Sequence, residues 1–170
     1  MEPKELSQQL RRGTGGLLRR RRQIVGLSLG AMVPMGVVAL YQMGIIEHVP
    51  EPPLPGLDGD EVDAAPEAYA VLSTPDAVLG LASYALTLGL AAMGGKARAT
   101  EKPWIPLALA AKVAFDGFEA LKLNAEGWRE HRAFCLWCVV SAGATFATAP
   151  LVVPEARVAL RRLLDGATPR

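Results

Sequence analysis

The sequence predicts an all-α protein, an integral membrane four-helix bundle, because it contains four stretches of membrane-spanning length. Residues 24–46, 77–95 and 134–154 carry no Asp, Glu, Lys or Arg. Each meets the roughly 20-residue length that a helix needs to cross a bilayer. A fourth stretch, 104–123, is apolar apart from four charged residues and lies between two of the others. Its length and position favour a fourth crossing.

The first helix, at about 24–46, follows a basic tail, residues 1–23. The tail contains Arg11, Arg12 and the arginine run 19–22. Basic residues remain on the cytoplasmic side of a membrane, so the N-terminus is predicted to be cytoplasmic. The apolar stretch is longer than the core of a signal peptide, which favours a retained helix. Because the arginine cluster is explained by topology, nucleic-acid binding is not predicted.

The connection after the first helix is acidic and rich in proline. Between residues 47 and 76 there are Asp and Glu residues but no Lys or Arg, so this segment is predicted to lie on the extracytoplasmic side. Four prolines between 50 and 55 make its first part extended. Residues 65–72 are expected to form a short helix across the mouth of the bundle.

The second helix is predicted at about 75–95. Thr74 is the expected N-cap, Pro75 the first helical residue, and Asp76 a first-turn acid that suits the helix dipole. This position favours a structural role for Asp76.

The third helix, at about 104–123, carries its charged residues on one face, at spacings of three and four: Lys112, Asp116, Glu119 and Lys122. One hypothesis is a self-paired face, in which Lys112 bonds Asp116 and Glu119 bonds Lys122. The other is a proton relay, because Asp116 and Glu119 are like charges one turn apart in a medium of low dielectric, which favours proton uptake by one of them.

The fourth helix, at about 134–153, completes a membrane domain that covers residues 24–154. Residues 155–170 form a basic amphipathic tail for the inner membrane surface. Basic residues also occupy the connection between the second and third helices, at 96–102. Both termini are therefore predicted to be cytoplasmic, in a multi-pass protein of the cell (inner) membrane.

Cys135 and Cys138 are the only cysteines, and they form a C-x-x-C motif at the start of the fourth helix. Residues three apart share one helix face, so the two thiols can form a disulfide and exchange two electrons. The partial positive charge of a helix N-terminus stabilises a thiolate at Cys135. The predicted topology puts the pair on the extracytoplasmic side, where disulfide chemistry persists. A purely structural role for two buried cysteines is the alternative.

Metal and haem sites are not predicted. A structural zinc site uses four ligands, and the two histidines, His48 and His131, are far apart in sequence. Attachment of a c-type haem needs a histidine directly after the second cysteine, where this chain has Val139.

Two segments resemble the vitamin K epoxide reductase family, whose members pass electrons between a C-x-x-C pair and a quinone held in a four-helix membrane bundle. One is residues 134–138, FCLWC, at the start of the last helix. The other is residues 73–84, STPDAVLGLASY, which is similar to the proline, glycine and tyrosine pattern of the family's second helix.

The resemblance implies roles for individual residues. Cys135 and Cys138 would be the catalytic pair, with Cys138 toward the quinone and Cys135 toward the incoming thiol. A quinone of the menaquinone or ubiquinone type would lie against Trp137 and Cys138, and Tyr84 would donate a hydrogen bond to it.

The chain also departs from the family pattern. Full members carry a second cysteine pair in the loop after the first helix, which relays electrons from a thioredoxin-like protein. Here residues 47–76 contain no cysteine. Either a thioredoxin-like or other extracytoplasmic dithiol protein reacts with Cys135 directly, or the chain binds quinone without turnover.

The sequence therefore predicts a membrane quinone-dependent thiol–disulfide oxidoreductase without a metal cofactor. The alternative is a non-catalytic four-helix membrane scaffold or quinone-binding protein.

Overall fold

The computed structural model describes residues 2–167, and within that range the chain is helical and has no β-strand. The predicted all-α class is therefore confirmed. A 3₁₀ turn at Pro66–Tyr69 accompanies seven helices: α1 (Pro3–Arg12), α2 (Gly16–Gln42), α3 (Gly59–Asp63), α4 (Asp76–Ala92), α5 (Arg98–Glu101), α6 (Trp104–His131) and α7 (Leu136–Ala167). Residues 168–170 of the predicted basic tail lie outside the described residues.

The four long helices contact one another in a ring. Helix α2 packs against α4 and α7, and α6 packs against α7 and α4. Two apolar clusters fill the space between them. One contains Ile24, Leu109 and Val152, and the other contains Val38 and Cys135. The cysteine pair therefore belongs to one of the two cores of the molecule.

Two of the four predicted spans have the length and hydropathy of membrane-crossing helices, namely α2 and residues 136–165 of α7. Helix α4 is apolar but only 17 residues long. Helix α6 has 28 residues and carries the charged face that the sequence predicted.

Helices α2 and α6 have bounds that differ from the predicted ones. Helix α2 begins at Gly16 rather than 24, because arginine is a good helix former and charge alone does not end a helix. It ends at Gln42 rather than 46, where Gly44 adopts a left-handed conformation (φ 71°). Helix α6 continues past 123 to His131 and ends at Arg132, which is also left-handed (φ 57°).

Helix α7 passes through Pro150 and Pro154 without interruption, so 155–167 continues this helix and is not a separate tail.

At the start of α4 the prediction of Thr74 as the N-cap is wrong. Pro75 is the N-cap residue, and the Thr74 hydroxyl donates to the carbonyl of Leu72. The short helix expected at 65–72 is shorter, a 3₁₀ turn, since Leu72 (φ 54°) and Ser73 (φ 52°) leave the helical region.

Two buried arginines hold the C-terminal end of α4. Arg21, only 3% exposed, donates hydrogen bonds of 2.9–3.1 Å to the carbonyls of residues 91–95. Arg98, 1% exposed, donates to carbonyls of the same end and forms a two-bond ion pair with Glu155 at 2.7 and 2.8 Å. The last carbonyls of a helix have no hydrogen-bond partner within the helix. The two guanidinium groups donate the missing hydrogen bonds at the end of α4.

The buried ion pair predicts a strong effect of an Arg98→Met substitution. It leaves the Glu155 carboxylate buried without its cation and removes the bonds to α4, so we expect a loss of about 3 to 5 kcal/mol and a clearly lower unfolding temperature of the purified protein. The control is Arg157→Met, at an exposed position of α7 two residues after Glu155. Equal losses in the two variants would contradict this role of the pair.

Candidate active site

The two cysteines lie at the N-terminus of α7, as free thiols. Cys135 precedes the helix, and its carbonyl accepts the first helical hydrogen bond, from Val139 N–H at 3.0 Å. Its sulfur accepts a second bond, from Cys138 N–H at 3.3 Å. Cys135 thus acts as the N-cap of α7, and its Sγ lies over the first turn, next to Cys138.

Cys135 is the more buried of the two cysteines. It is 1% exposed, whereas Cys138 is half-buried. The implied role of Cys135, a direct encounter with an incoming thiol, therefore requires that whatever covers it moves aside. Residues 48–69, here called the cap, contain α3 and the 3₁₀ turn, and Val62 and Asp63 of this segment lie against the cysteine cluster.

Glu51 fastens the cap to α7. One oxygen of its carboxylate accepts a hydrogen bond from Leu136 N–H, at the start of α7, at 3.1 Å. The other accepts from Gly59 N–H, at the start of α3. A carboxylate at a helix N-terminus satisfies unpaired amides and interacts favourably with the dipole. Glu51 does both for two helices at once.

Backbone and aromatic contacts strengthen this attachment. Phe134 N–H donates to the carbonyl of Gly56 at 2.9 Å, and Asp58 N–H donates to the carbonyl of Phe134 at 3.1 Å. The indole N–H of Trp137 donates to the carbonyl of Pro50 at 3.0 Å. The ring of Phe134 stacks on Trp128 of α6 at 5.1 Å. The cap is therefore fixed on both sides of Cys135.

Asp63, the last residue of α3, points from the cap to the cysteine pair. It is 2% exposed, and its Oδ1 accepts a hydrogen bond from the Cys138 thiol, with a separation of 3.5 Å. An Asp63 oxygen and the two sulfurs lie within 4.8 Å of one another. Among the described residues, Oδ2 of Asp63 is buried without a hydrogen-bond partner.

The surroundings of Asp63 disfavour its charged form. Burial raises its pKa to about 6, and the neighbouring Asp76 acts in the same direction, while hydrogen bonding to the two thiols opposes them. Sequence reasoning missed this residue, because a single aspartate in an acid-rich connection has no local signal that marks it.

Gln42 connects the cap to the helices behind it. Its side-chain amide donates to the backbone carbonyl of Asp63 at 3.2 Å and to the carboxylate of Asp76 at 2.7 Å. Its amide oxygen accepts from Ala77 N–H at 3.2 Å. The contact with Gln42 agrees with a structural role for Asp76.

The two residues implied to contact a quinone lie beside the pair. Tyr84 and Trp137 pack with Cys138 against the same apolar cluster. The Tyr84 hydroxyl already bonds the carbonyl of Ser141 and the hydroxyl of Thr145, each at 2.8 Å. Tyr84 therefore has to exchange one of these bonds before it can donate to a ligand.

Half of the self-paired face of α6 is present. Lys112 bonds Asp116 at 2.5 Å, and Ser83 on α4 donates to Asp116 at 2.9 Å. Lys122, however, pairs with Glu126 at 4.0 Å and not with Glu119. Asp116 is thus held inside the bundle by a cation and a hydroxyl.

Asp116 also lines a small cavity together with Tyr84 and Thr145. The cavity has a volume of about 10 Å³, the room needed for one water molecule. This small polar cavity lies between Tyr84 on α4 and Asp116 on α6.

The three donor groups at the cysteines do not form a closed zinc site, which uses four ligands. The histidines are engaged elsewhere, His48 with Asp60 at 2.7 Å and His131 with Glu61 at 3.3 Å.

The two bonds of Glu51 predict that Glu51→Ala loosens the cap. The loss of charge-assisted hydrogen bonds at two helix ends destabilises the closed cap by about 2 kcal/mol. The fraction of molecules with an open cap then rises roughly 30-fold. Cys135 should react correspondingly faster with N-ethylmaleimide, measured by mass spectrometry. Glu47→Ala, at an exposed position just before the cap, should leave the rate unchanged. An unchanged rate in both variants would show that Glu51 does not hold the cap closed.

Comparison with known proteins gives one match. The model of the vitamin K epoxide reductase family covers residues 22–153, a range that includes both cysteines, the cap and all of α4 and α6. None of the curated proteins and none of the solved structures matches the chain. The resemblance expected from residues 134–138 and 73–84 is therefore confirmed. The chain belongs to the vitamin K epoxide reductase family.

Proposed function

We propose that this chain is a membrane quinone-dependent thiol–disulfide oxidoreductase whose active pair is Cys135 and Cys138. Membership of a family of quinone-linked oxidoreductases supports the reaction class. The observation that carries the assignment is the proximity of the two sulfurs, which lie within 4.8 Å of one another at the start of α7, inside the matched region. Disulfide formation between them releases two electrons and two protons, and an external thiol reverses it.

The proposed topology is a four-helix transmembrane bundle made of α2, α4, α6 and α7. The ring of contacts among these helices supports it. The basic tail and the connection at 96–102 would lie on the cytoplasmic side, and the acidic cap on the extracytoplasmic side. Both termini would then be cytoplasmic, and the cysteine pair would lie near the outer surface of the cell membrane.

A quinone of the menaquinone or ubiquinone type would bind beside Cys138, with Trp137 and Tyr84 as its contacts. When bound, it supplies the two-electron acceptor. The apolar cluster around Cys138 suits a flat hydrophobic ring, and the unpartnered Oδ2 of Asp63 offers a polar group to it.

The thiol partner would be a thioredoxin-like or other extracytoplasmic dithiol protein. Since the cap contains no cysteine, no electron relay can pass through it, and the partner has to react with the pair directly. The burial of Cys135 means that the cap opens before this exchange. Cap opening would therefore be part of the catalytic cycle.

The redox state of the pair tests the proposal. In isolated membranes, added quinone should convert both reduced thiols to a disulfide, measured by alkylation before and after dithiol reduction. Cys138→Ala should abolish the change. A trapped mixed disulfide between Cys135 and a dithiol protein should appear in the same variant. Thiols that stay reduced with quinone would instead favour the non-catalytic scaffold or quinone-binding protein.

Asp116, with Glu119 on the same face, is the proposed proton relay through the bundle. Its position on the cavity beside Tyr84 supports this role. We expect Asp116→Asn to lower the rate of quinone reduction per folded molecule roughly 10-fold or more, beyond any loss of stability from leaving Lys112 unpaired. Glu126→Gln, at the outer end of α6, is the control. A lower unfolding temperature with unchanged turnover per folded molecule would assign Asp116 a structural role only.

A further inference from the structure

We propose that Asp63 is a catalytic residue: it accepts the proton of the Cys138 thiol when the disulfide forms and returns a proton when the disulfide is reduced. The assignment rests on the proposed function for its place in a reaction. The contact between carboxylate and thiol that carries it does not depend on quinone.

Geometry distinguishes Asp63 from the other carboxylates near the pair. Both oxygens of Glu51 are bonded to helix N-terminal amides. Asp76 is held by the side chain of Gln42. Asp63 has one oxygen on the Cys138 thiol and the other buried and unpartnered among the described residues. It alone contacts a reacting atom and has a free position for a proton.

The charges around Asp63 suit proton exchange near neutral pH. The titratable groups that face it are the two thiols of the C-x-x-C motif, Asp76 at the start of α4, and Glu51 in the cap. None of these is a cation, so nothing among them holds Asp63 in its charged form. With a pKa of about 6, the carboxyl is mostly ionised at pH 7 and can accept a proton. A thiol is ordinarily the weaker acid, with a pKa of about 8.5, so the proton moves to Asp63 as the sulfur reacts.

Oxidation breaks the two S–H bonds and forms one S–S bond between Cys135 and Cys138. Two electrons and two protons reach the quinone, which becomes a quinol. Asp63 takes the Cys138 proton first, which creates the thiolate that reacts, and then passes this proton on. Reduction by a dithiol runs in reverse, and Asp63 protonates the sulfur that leaves.

This assignment gives the cap a chemical role that differs from an electron relay. A carboxylate carries a proton but no electrons. The segment without cysteines therefore still takes part in the reaction, because it brings Asp63 to the pair when it is closed.

The test is the pH dependence of Cys138 alkylation in the purified, reduced, quinone-free full chain. N-ethylmaleimide is applied from pH 4.5 to 10, and labelling is located by mass spectrometry. In the wild type the rate should rise in two steps. The first lies near pH 6, as Asp63 loses its proton and can take that of the thiol, and the second lies at higher pH, where the thiol loses its proton to solvent.

Asp63→Asn should remove the first step and keep the second, and Asp63→Glu should restore the first step. Glu67→Gln, an exposed cap position, should keep both. If Asp63→Asn does not fold, Asp63→Ser serves the same comparison. A single-step wild-type profile, or identical profiles with and without the carboxyl, would overturn the proposal.

A second measurement separates this inference from the proposed function. Quinone-driven disulfide formation at pH 7 should be roughly 100-fold slower in Asp63→Asn. An unchanged rate there would overturn the role of Asp63 and leave the oxidoreductase intact. Two-step alkylation without any quinone-driven disulfide in the wild type would refute the oxidoreductase and retain Asp63 as the proton acceptor of the thiol.

Discussion

The carboxylate of Glu51 is the contact on which the site depends, since it satisfies the first amides of α3 and α7 together. Without it, the amides of Gly59 and Leu136 at these helix starts would lose this shared partner, and the negative charge that suits both helix dipoles would be absent. With it, α3 is fixed against α7, and the last residue of α3 reaches the cysteines. The position of Asp63 is therefore a consequence of how two helix ends are joined.

The opposite end of the molecule follows the same physical rule with the signs reversed. There the unpaired groups are carbonyls at the end of α4, and Arg21 and Arg98 satisfy them. Glu155 then balances one of the buried cations. Charged side chains at helix ends, acidic at N-termini and basic at a C-terminus, thus hold both ends of the bundle.

Features that depend on local pattern could be predicted from the sequence. These include the helical class, the long apolar segments, and the cysteine pair at the start of the last helix. The structure also contains the Lys112–Asp116 pair that a spacing of four residues predicts. Contacts between distant segments could not be predicted. The arginines at 21 and 98 looked like surface charges that set topology, and Asp63 looked like any other acid of its loop. Each acquires its role only when a distant segment packs against it. That segment is some 70 residues away for Arg21 and 75 residues away for Asp63.

Helix α7 is continuous over 32 residues, a length of about 48 Å. In the proposed topology, a helix of this length that crosses a hydrocarbon core of about 30 Å leaves about 18 Å of its length outside the core. The same helix carries Cys138 in its first turn and Glu155 much further along. A spectroscopic probe attached late in α7 would therefore report the distance from the thiols along one continuous helix.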